Sequence, residues 1–279
     1  MAETLTNADV ECVFERPHAL IDRPHHYCPG CSHGVYHRLV AEMLDEFGLT
    51  DHTVGICPVG CSVLAYDYFA VDMIEASHGR APAVATGVKR ALPDAFVFTY
   101  QGDGDLASIG MSETVHAAAR GENITVFFVN NGIYGMTGGQ MAPTTLPGQK
   151  TTTSPKGREV AVMGHPIDMC KLLQSLPGVA FLARVPLSAP KHLKTARKYM
   201  RKAVQAQLER KGFAMVEVLA ACPVQWRMEP MAALRHVDEN VTKVFPPGVF
   251  VDRLSAGSDD PSAAGGGDGG VTRTETERQ

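Results

Sequence analysis

The chain has no long hydrophobic segment and no excess of positive charge. Among its 279 residues, no apolar run approaches the roughly 20 residues that a helix needs to cross a bilayer. Basic residues number 26 and acidic residues 30, so the net charge of −4 gives no electrostatic case for binding nucleic acid or an anionic membrane. Acidic residues at Glu3, Asp9 and Glu11 stand where a signal peptide would be basic, and we therefore expect a cytoplasmic protein.

The seven cysteines do not form the even set that is typical of small secreted domains with disulfide bonds. In a reducing compartment, clustered cysteines more often bind a metal or carry out redox chemistry. Two of them lie in the loop Cys28-Pro29-Gly30-Cys31, and Cys57, Cys61 and Cys222 are further thiols. A redox dithiol would begin a helix directly after a strand, and no strand is predicted before Cys28. Spacing alone therefore predicts a site with four thiolates and leaves zinc and iron–sulfur open as alternatives.

Helical and strand-like patterns alternate along most of the chain. Helices are expected at about residues 35–47, 82–91, 108–120, 167–176 and 190–211, and strands at 95–101, 124–130, 179–185 and 213–220. The alternation predicts one α/β domain, residues 25–252, with a doubly wound, mostly parallel sheet. Residues 1–24 read as a polar N-terminal extension. The tail, residues 253–279, is rich in Gly and Ser and is expected to be disordered.

Glycine and polar residues follow two of the predicted strands. Strand 95–101 opens into Gly102-Asp103-Gly104-Asp105, and strand 124–130 ends in Asn130-Asn131. Either motif alone could be an ordinary turn. In an open parallel sheet, however, ligands bind at the carboxyl ends of the strands, where both motifs fall. Glycine lets the backbone approach a phosphate, and carboxylate and amide oxygens are ligands that Mg²⁺ prefers. Together the two motifs predict a site for magnesium and a diphosphate.

These motifs resemble the thiamine-diphosphate signature. The wider run 102–145 resembles the beta subunit of 2-oxoacid:ferredoxin oxidoreductases, and the resemblance covers about residues 24–250. It implies a thiamine-diphosphate-binding fold in which Asp103, Asn131 and the Ile133 carbonyl hold Mg²⁺. It implies cofactor contacts at Ser62, His78, Gly79, Arg80, Gly102, Asp103, Gly104, Asp105, Asn131, Tyr134, Gly135, Met136 and Thr137. Without the resemblance, His78 and Arg80 would be interpreted as a surface pair.

The same resemblance resolves the choice between zinc and iron–sulfur. It implies one [4Fe–4S] cluster on Cys28, Cys31, Cys61 and Cys222. Cys57 departs from the family pattern as an extra thiol and is an alternative ligand. Cys12 and Cys170 are interpreted as ordinary free cysteines, the second of them in the core.

The family's activity is the oxidative decarboxylation of a 2-oxoacid with coenzyme A as co-substrate. The resemblance implies that acyl-CoA and CO₂ form and that electrons pass through the cluster to ferredoxin. It implies an alpha subunit that carries the pyrimidine domain, with gamma and ferredoxin-like delta subunits as further candidate partners. The activating glutamate is expected from the alpha subunit, so no catalytic residue is assigned in this chain, and activity should require the partner.

The sequence leaves alternatives open for the substrate and for the reaction class. Residues 142–145, 148–153 and 220–223 resemble members assigned to branched-chain 2-oxoacids such as 2-ketoisovalerate, with 2-oxoglutarate or an aromatic 2-oxoacid as the alternative. The alternative class is a non-redox thiamine-diphosphate decarboxylase or carboligase subunit with structural zinc. Lys150, Lys156 and Arg158 are expected to be placed to meet an anionic substrate. The basic residues of 191–202 are interpreted as a solvated helix face, and Glu113 as a polar helix residue.

Overall fold

The computed structural model describes residues 14–254 and has a seven-stranded sheet at its centre. The strands are Thr53–Pro58 (β1), Asp72–Ala76 (β2), Phe96–Gly102 (β3), Thr125–Asn130 (β4), Ile133–Tyr134 (β5), Gln140–Met141 (β6), Val179–Pro186 (β7), Phe213–Leu219 (β8) and Gly248–Asp252 (β9). The large sheet has the order β2-β1-β3-β4-β8-β7-β9, and β5 and β6 form a separate small hairpin. Neighbouring strands of the large sheet pair in parallel, except that β9 runs antiparallel to β7.

Helices cover both faces of this sheet. They are Ser32–Glu46 (α1), Ala81–Ala91 (α2), Met111–Ala119 (α3), Val160–Met163 (α4), Met169–Leu173 (α5), Pro190–Leu208 (α6), Pro223–Trp226 (α7), Pro230–His236 (α8) and Thr242–Val244 (α9). Short 3-10 turns lie at Thr50–His52 and Val63–Asp67, and π turns at Asp105–Ile109 and Val237–Val241. The predicted α/β fold with a doubly wound, mostly parallel sheet is confirmed.

Alternate residues of the central strands enter two separate cores. Phe98 and Phe127 pack in the core that contains α1 and α6, whereas Val97 and Val126 pack in the core beside α2 and α3. This alternation follows from the two-residue period of a strand, and both faces are apolar because helices cover both. Each fully buried large side chain of this kind contributes roughly 1.5–3 kcal/mol to stability. No helix within residues 14–254 combines the length and the apolar character needed to cross a membrane.

The sequence pattern assigns no strand to β1, β2 or β9. Gly55 and Pro58 weaken the strand pattern of β1, although a Cβ at Gly55 would lie 2.4 Å from the sulfur of Met73, so the packing there requires glycine. The strands β2 and β9 are partly exposed edge strands with mixed polarity. These three strands therefore form because they pair with neighbouring strands, although their local sequence does not predict a strand.

The first described residues lie against α1. The backbone amides of His18 and Ala19 donate to the carboxylate of Asp45 over 2.5 and 2.9 Å, and Leu20 forms an antiparallel bridge with Phe69. The rest of the N-terminal extension, with Cys12, lies outside the described residues. So does the tail from residue 255, for which the sequence predicts disorder.

A buried charged network extends from β4 across β8 to β7. Arg184 is fully buried, and its Nε donates to Oε2 of Glu217 over 2.8 Å, while the guanidinium also pairs with Asp168. Oε1 of Glu217 accepts a hydrogen bond from Nδ2 of Asn130 over 2.7 Å, and the Cys170 thiol lies 3.0 Å from Oε2. Burial lowers the pKa of Arg184, but the neighbouring carboxylates raise it more, so the guanidinium stays charged. Cys170 lies in the core, as expected.

Replacement of Arg184 by Met should lower the free energy of unfolding by about 3–5 kcal/mol, because Glu217 would keep a buried charge without its cation. The double variant Arg184→Met/Glu217→Leu removes both charges and should recover part of that loss. Urea unfolding of the purified chain measures both effects. Arg210→Met is the control, since Arg210 and Asp94 form an exposed pair, and it should change stability little. A double variant that is less stable than Arg184→Met would contradict the charge argument.

Candidate functional site

Asp103 and Asn131 lie at the same edge of the sheet. The strands β3 and β4 are neighbours, with Gly102 paired to Val129, so the two residues leave adjacent strands side by side. Asp103 is only 2% exposed. Its Oδ2 accepts a hydrogen bond from the Gly132 amide over 2.7 Å, and its Oδ1 accepts one from the Gly104 amide over 2.8 Å. The predicted metal-ligating side chains therefore come together in space.

The residues that follow β4 form a short segment, 131–136, which we call the β4 loop. It contains Asn131, the Ile133 carbonyl and Gly135. Asn131 Oδ1 accepts a hydrogen bond from the Ile133 amide over 3.2 Å, which curls the start of the loop toward Asp103. The loop therefore offers an amide oxygen and nearby carbonyl oxygens beside a buried carboxylate.

Two threonines of the long segment after β6 close over the site. Oγ1 of Thr144 donates to Oδ2 of Asp103, and Oγ1 of Thr145 donates to the Gly132 carbonyl over 2.6 Å. Sequence reasoning did not assign either residue to the site. A Thr-Thr pair in a segment without periodicity carries no signal of which strand end it will meet.

A cleft with a cavity volume of about 100 Å³ lies between these elements and opens to solvent. Most of the residues that the resemblance assigns to the cofactor line it: His78, Gly102, Asp103, Gly104, Asp105, Asn131, Tyr134, Gly135, Met136 and Thr137. A Cβ at Gly102 would meet no described atom within 4 Å, whereas a Cβ at Gly104 would lie 2.4 Å from the Tyr134 ring. Glycine at 102 thus keeps the backbone open to the cleft, and glycine at 104 allows the ring of Tyr134 to pack.

Asp103 is a buried anion that lacks a cationic partner among the described residues. Burial raises its pKa to about 6, although the hydroxyl of Thr144 and the amides of Gly104 and Gly132 lower it. A divalent cation would supply the missing opposite charge, and oxygen ligands suit Mg²⁺. The donor set at this strand end therefore fits a magnesium ion.

His78 is oriented by a buried carboxylate. Its Nδ1 lies 2.6 Å from Oδ1 of Asp105, and Oδ2 of Asp105 accepts a hydrogen bond from Nε2 of Gln101 over 2.7 Å. Burial raises the pKa of Asp105, while the hydrogen bonds from Gln101 and His78 oppose that shift. This contact fixes the orientation of the ring at the cleft wall and leaves Nε2 for a group in the cleft.

The thiols of Cys61 and Cys222 lie behind the β4 loop, and Cys28 and Cys31 are near enough to affect their pKa. A Cβ at Gly135 would lie 3.1 Å from Sγ of Cys61 and 3.7 Å from Sγ of Cys222. Burial, with contributions from the neighbouring thiols, raises the pKa of Cys31 to about 11 and the pKa of Cys61 and Cys222 to about 12. Proximity of this kind is expected of thiols that share a metal.

Backbone amides face three of these thiols. The amides of His33, Met136 and Gln225 lie against Cys31, Cys61 and Cys222, respectively, and lower their pKa in part. Such amides stabilise thiolates and hydrogen-bond to the sulfur atoms of clusters. Within residues 14–254, no group of three or more His, Cys, Asp or Glu side chains is positioned to hold a metal ion. Thiols are nonetheless the donor type that a thiolate-bound metal requires, and those of Cys61 and Cys222 lie close together at Gly135.

Comparisons with known proteins agree on one family. Residues 58–218 match the thiamine pyrophosphate enzyme family, C-terminal TPP binding domain. The chain is 50% identical over 241 residues to ketoisovalerate oxidoreductase subunit VorA of Methanothermobacter thermautotrophicus, covering 86% of this chain and 50% of that protein. It is 36% identical over 214 residues to 2-oxoglutarate synthase subunit KorB of Archaeoglobus fulgidus, covering 77% of this chain and 76% of that protein.

The chain belongs to the family of 2-oxoacid:ferredoxin oxidoreductase beta subunits. It spans about half the length of the VorA proteins that it matches. A solved 2-oxoglutarate:ferredoxin oxidoreductase from Magnetococcus marinus, with 2-oxoglutarate, coenzyme A and succinyl-CoA bound, superimposes with a TM-score of 0.69 at 27% identity. That comparison covers 86% of this chain and 85% of the solved chain.

Three residues that this family resemblance assigns to the cofactor do not line the cleft. Gly79 has φ +78° and donates its amide to Asp105 over 2.6 Å, and a Cβ there would lie 2.7 Å from the Gly110 amide nitrogen. Arg80 forms an ion pair with Glu113 and is partly exposed. Ser62 is buried, and its Oγ has no hydrogen-bond partner among the described residues.

The expectation for Arg158 is wrong. This side chain is 5% exposed and donates to the carbonyls of Pro143, Thr145 and His165 over 2.8 Å each, so it stabilises the long segment and cannot meet a substrate. Lys150 and Lys156 are exposed but do not line the cleft.

Two further sequence interpretations concern residues away from the cleft. The Cys57 thiol is buried and donates to the Val63 carbonyl over 3.2 Å. On the basic face, Arg197 and Arg201 pair with Glu42 and Glu46 of α1, so part of its charge is neutralised within the fold.

The raised pKa of Asp103 predicts a specific pH dependence of stability. Because the folded pKa, about 6, exceeds the unfolded value of 3.8, protonation favours the folded state, and this carboxyl makes the chain more stable as the pH falls through 6. Relative to Asp103→Asn, the wild type should therefore gain about 1.4 kcal/mol in free energy of unfolding between pH 7.5 and pH 5. Urea unfolding of both proteins, without metal or cofactor, measures this difference. An unchanged difference between the two pH values would contradict the assigned pKa.

Proposed function

We propose that this chain binds thiamine diphosphate through Mg²⁺ in the cleft at the carboxyl ends of β3 and β4. Asp103, Asn131 and the Ile133 carbonyl would hold the ion, and the open backbone at Gly102 would face the diphosphate. The proposal is supported by the buried, cation-deficient carboxylate of Asp103 and by the match to a TPP-binding domain family. His78, oriented by Asp105, would offer Nε2 to the same ligand.

We also propose that Cys28, Cys31, Cys61 and Cys222 hold a [4Fe–4S] cluster. The observation that carries the function is the position of Cys61. This residue lines the cleft and also lies against the same glycine, Gly135, as Cys222 does. A one-electron carrier at the cofactor wall serves an oxidation, whereas a decarboxylase without redox chemistry has no use for one.

The reaction that fits is the oxidative decarboxylation of a 2-oxoacid with coenzyme A. It yields an acyl-CoA, CO₂ and a proton, and two electrons leave one at a time for ferredoxin. When bound, thiamine diphosphate supplies the electron sink that cleavage next to a carbonyl requires. Asp103, Asn131 and His78 of this chain would bind and orient the diphosphate. The activating carboxylate would come from an alpha subunit, so the complex is the active form.

A branched-chain 2-oxoacid is the proposed substrate class. Identity to the ketoisovalerate oxidoreductase subunit is 50%, against 36% for the 2-oxoglutarate synthase subunit. In addition, no Lys or Arg of the described residues lines the cleft, so this chain offers no cation to the second carboxylate of 2-oxoglutarate. An uncharged side chain on the substrate needs no such partner.

The function is tested on the chain purified together with its alpha subunit under anaerobic conditions. With thiamine diphosphate, Mg²⁺ and coenzyme A present, 2-ketoisovalerate should reduce a low-potential viologen dye faster than 2-oxoglutarate or an aryl pyruvate does. Omission of coenzyme A or substitution of Asp103 by Asn should abolish dye reduction. Carboligation or CO₂ release without dye reduction would instead support the non-redox class, and faster turnover of 2-oxoglutarate would overturn the substrate assignment.

Cysteine variants separate the cluster ligands from the other thiols. Cys61→Ser should prevent assembly of a stable [4Fe–4S] cluster during anaerobic reconstitution, because it removes one of four thiolates. Cys57→Ser is the matched control, since Cys57 lies in the same sequence region but faces the Val63 carbonyl, and it should retain a full cluster. Iron and sulfide analysis with the visible absorption spectrum measures the outcome. Zinc in the purified wild type in place of iron would exclude the cluster.

A further inference from the structure

The helical turn α7 follows Cys222 directly and is fixed by it. The backbone amide of Trp226 donates to the Cys222 carbonyl over 3.0 Å, and the backbone amide of Gln225 lies against the Cys222 thiol. The position of this turn is therefore tied to the position of Cys222.

Side chains of the same turn hold both ends of the β4 loop. Nε2 of Gln225 donates to the Gly135 carbonyl over 2.9 Å, and Nε1 of Trp226 donates to the Asn131 carbonyl over 3.1 Å. The two carbonyls lie at either end of the segment 131–135, which carries the side-chain amide of Asn131 and the backbone carbonyl of Ile133. Two hydrogen bonds from α7 thus set the position of two of the three proposed magnesium ligands.

The β4 loop also lies directly against the thiols. A side chain at Gly135 would meet the sulfurs of Cys61 and Cys222 at 3.1 and 3.7 Å, and the Met136 amide lies against the Cys61 thiol. The loop therefore forms the wall between the cleft and the thiol group, and any movement of Cys222 reaches the loop through α7.

We propose that Gln225 and Trp226 are positioning residues that couple the thiolate site at Cys222 to the magnesium site on the β4 loop. Metal at the thiols fixes Cys222 and α7, and α7 then holds the loop in its binding position. Because the loop is already ordered when the cluster is bound, magnesium and thiamine diphosphate bind without the entropy cost of ordering it. Cluster binding therefore strengthens the binding of magnesium and thiamine diphosphate. By reciprocity, these ligands strengthen the binding of the cluster by the same factor. The inference rests on the proposed function for the identity of both groups.

Isothermal titration of the full chain with thiamine diphosphate in excess Mg²⁺ tests this coupling, with the cluster reconstituted and after iron is removed by chelation. The wild type should bind about fivefold to tenfold more tightly with the cluster present. The double variant Gln225→Leu/Trp226→Phe keeps the aromatic ring and loses both donors. It should take up the same iron but show a ratio of about one. Val224→Ala is the control from the same turn, since Val224 is 54% exposed, and it should keep the wild-type ratio.

A spectroscopic readout accompanies the titration. Trp226 is the only tryptophan of the chain, so the emission reports on the surroundings of this one ring, which include the Asn131 carbonyl and His236. Emission of the cluster-free wild type should change when magnesium and thiamine diphosphate bind, and unchanged emission would count against the contact.

The outcomes separate the inference from the proposed function. A double variant that keeps the wild-type ratio would overturn the coupling through α7, as would equal affinity of the two wild-type forms. In both cases the observed binding would leave the proposed function standing. Absence of any binding of magnesium and thiamine diphosphate, with or without cluster, would overturn both.

Discussion

The carboxylate of Asp103, buried at the end of β3, is the constraint on which the site depends. Burial of a charge is unfavourable unless other groups offset it, and here the amides of Gly104 and Gly132 and the hydroxyl of Thr144 do so only in part. These donors come from three different segments, which must therefore converge on one oxygen pair. The remaining deficit of positive charge is the reason for proposing a cation at this strand end, with further oxygens from the β4 loop.

The surrounding fold holds this arrangement from two sides. Behind it, Glu217 accepts a hydrogen bond from Asn130 and is itself neutralised by the buried Arg184, so the end of β4 is tied to β7 and β8. In front of it, Gln225 and Trp226 hold the β4 loop from α7. Both supports use hydrogen bonds between buried or half-buried groups, whose loss is expensive because water cannot replace them. These hydrogen bonds hold the β4 loop beside Asp103.

Some parts of this arrangement could be predicted from local sequence and others could not. The strand ends at Asp103 and Asn131 were predictable because both motifs follow strongly apolar runs, and parallel strands end at one edge of a sheet. Thr144 and Arg158 were not, since they lie in a segment without periodicity, and their partners are distant carbonyls and a carboxylate. Arg80 is a further case: its side chain pairs with Glu113, a partner 33 positions away that no local pattern indicates. The edge strands β2 and β9 carry no clear pattern because one side of each is exposed.

The sequence by itself determined the fold class, the strand-end motifs and which thiols are available. These follow from local properties of the chain, namely the periodicity of its apolar residues and the positions of its glycines and cysteines. The tertiary structure alone decided which groups meet. It placed Cys61 in the wall of the cleft and brought the turn after Cys222 onto the loop after β4. These contacts join residues about 90 positions apart, such as Trp226 and Asn131, and depend on the packing of whole elements, which no local pattern encodes.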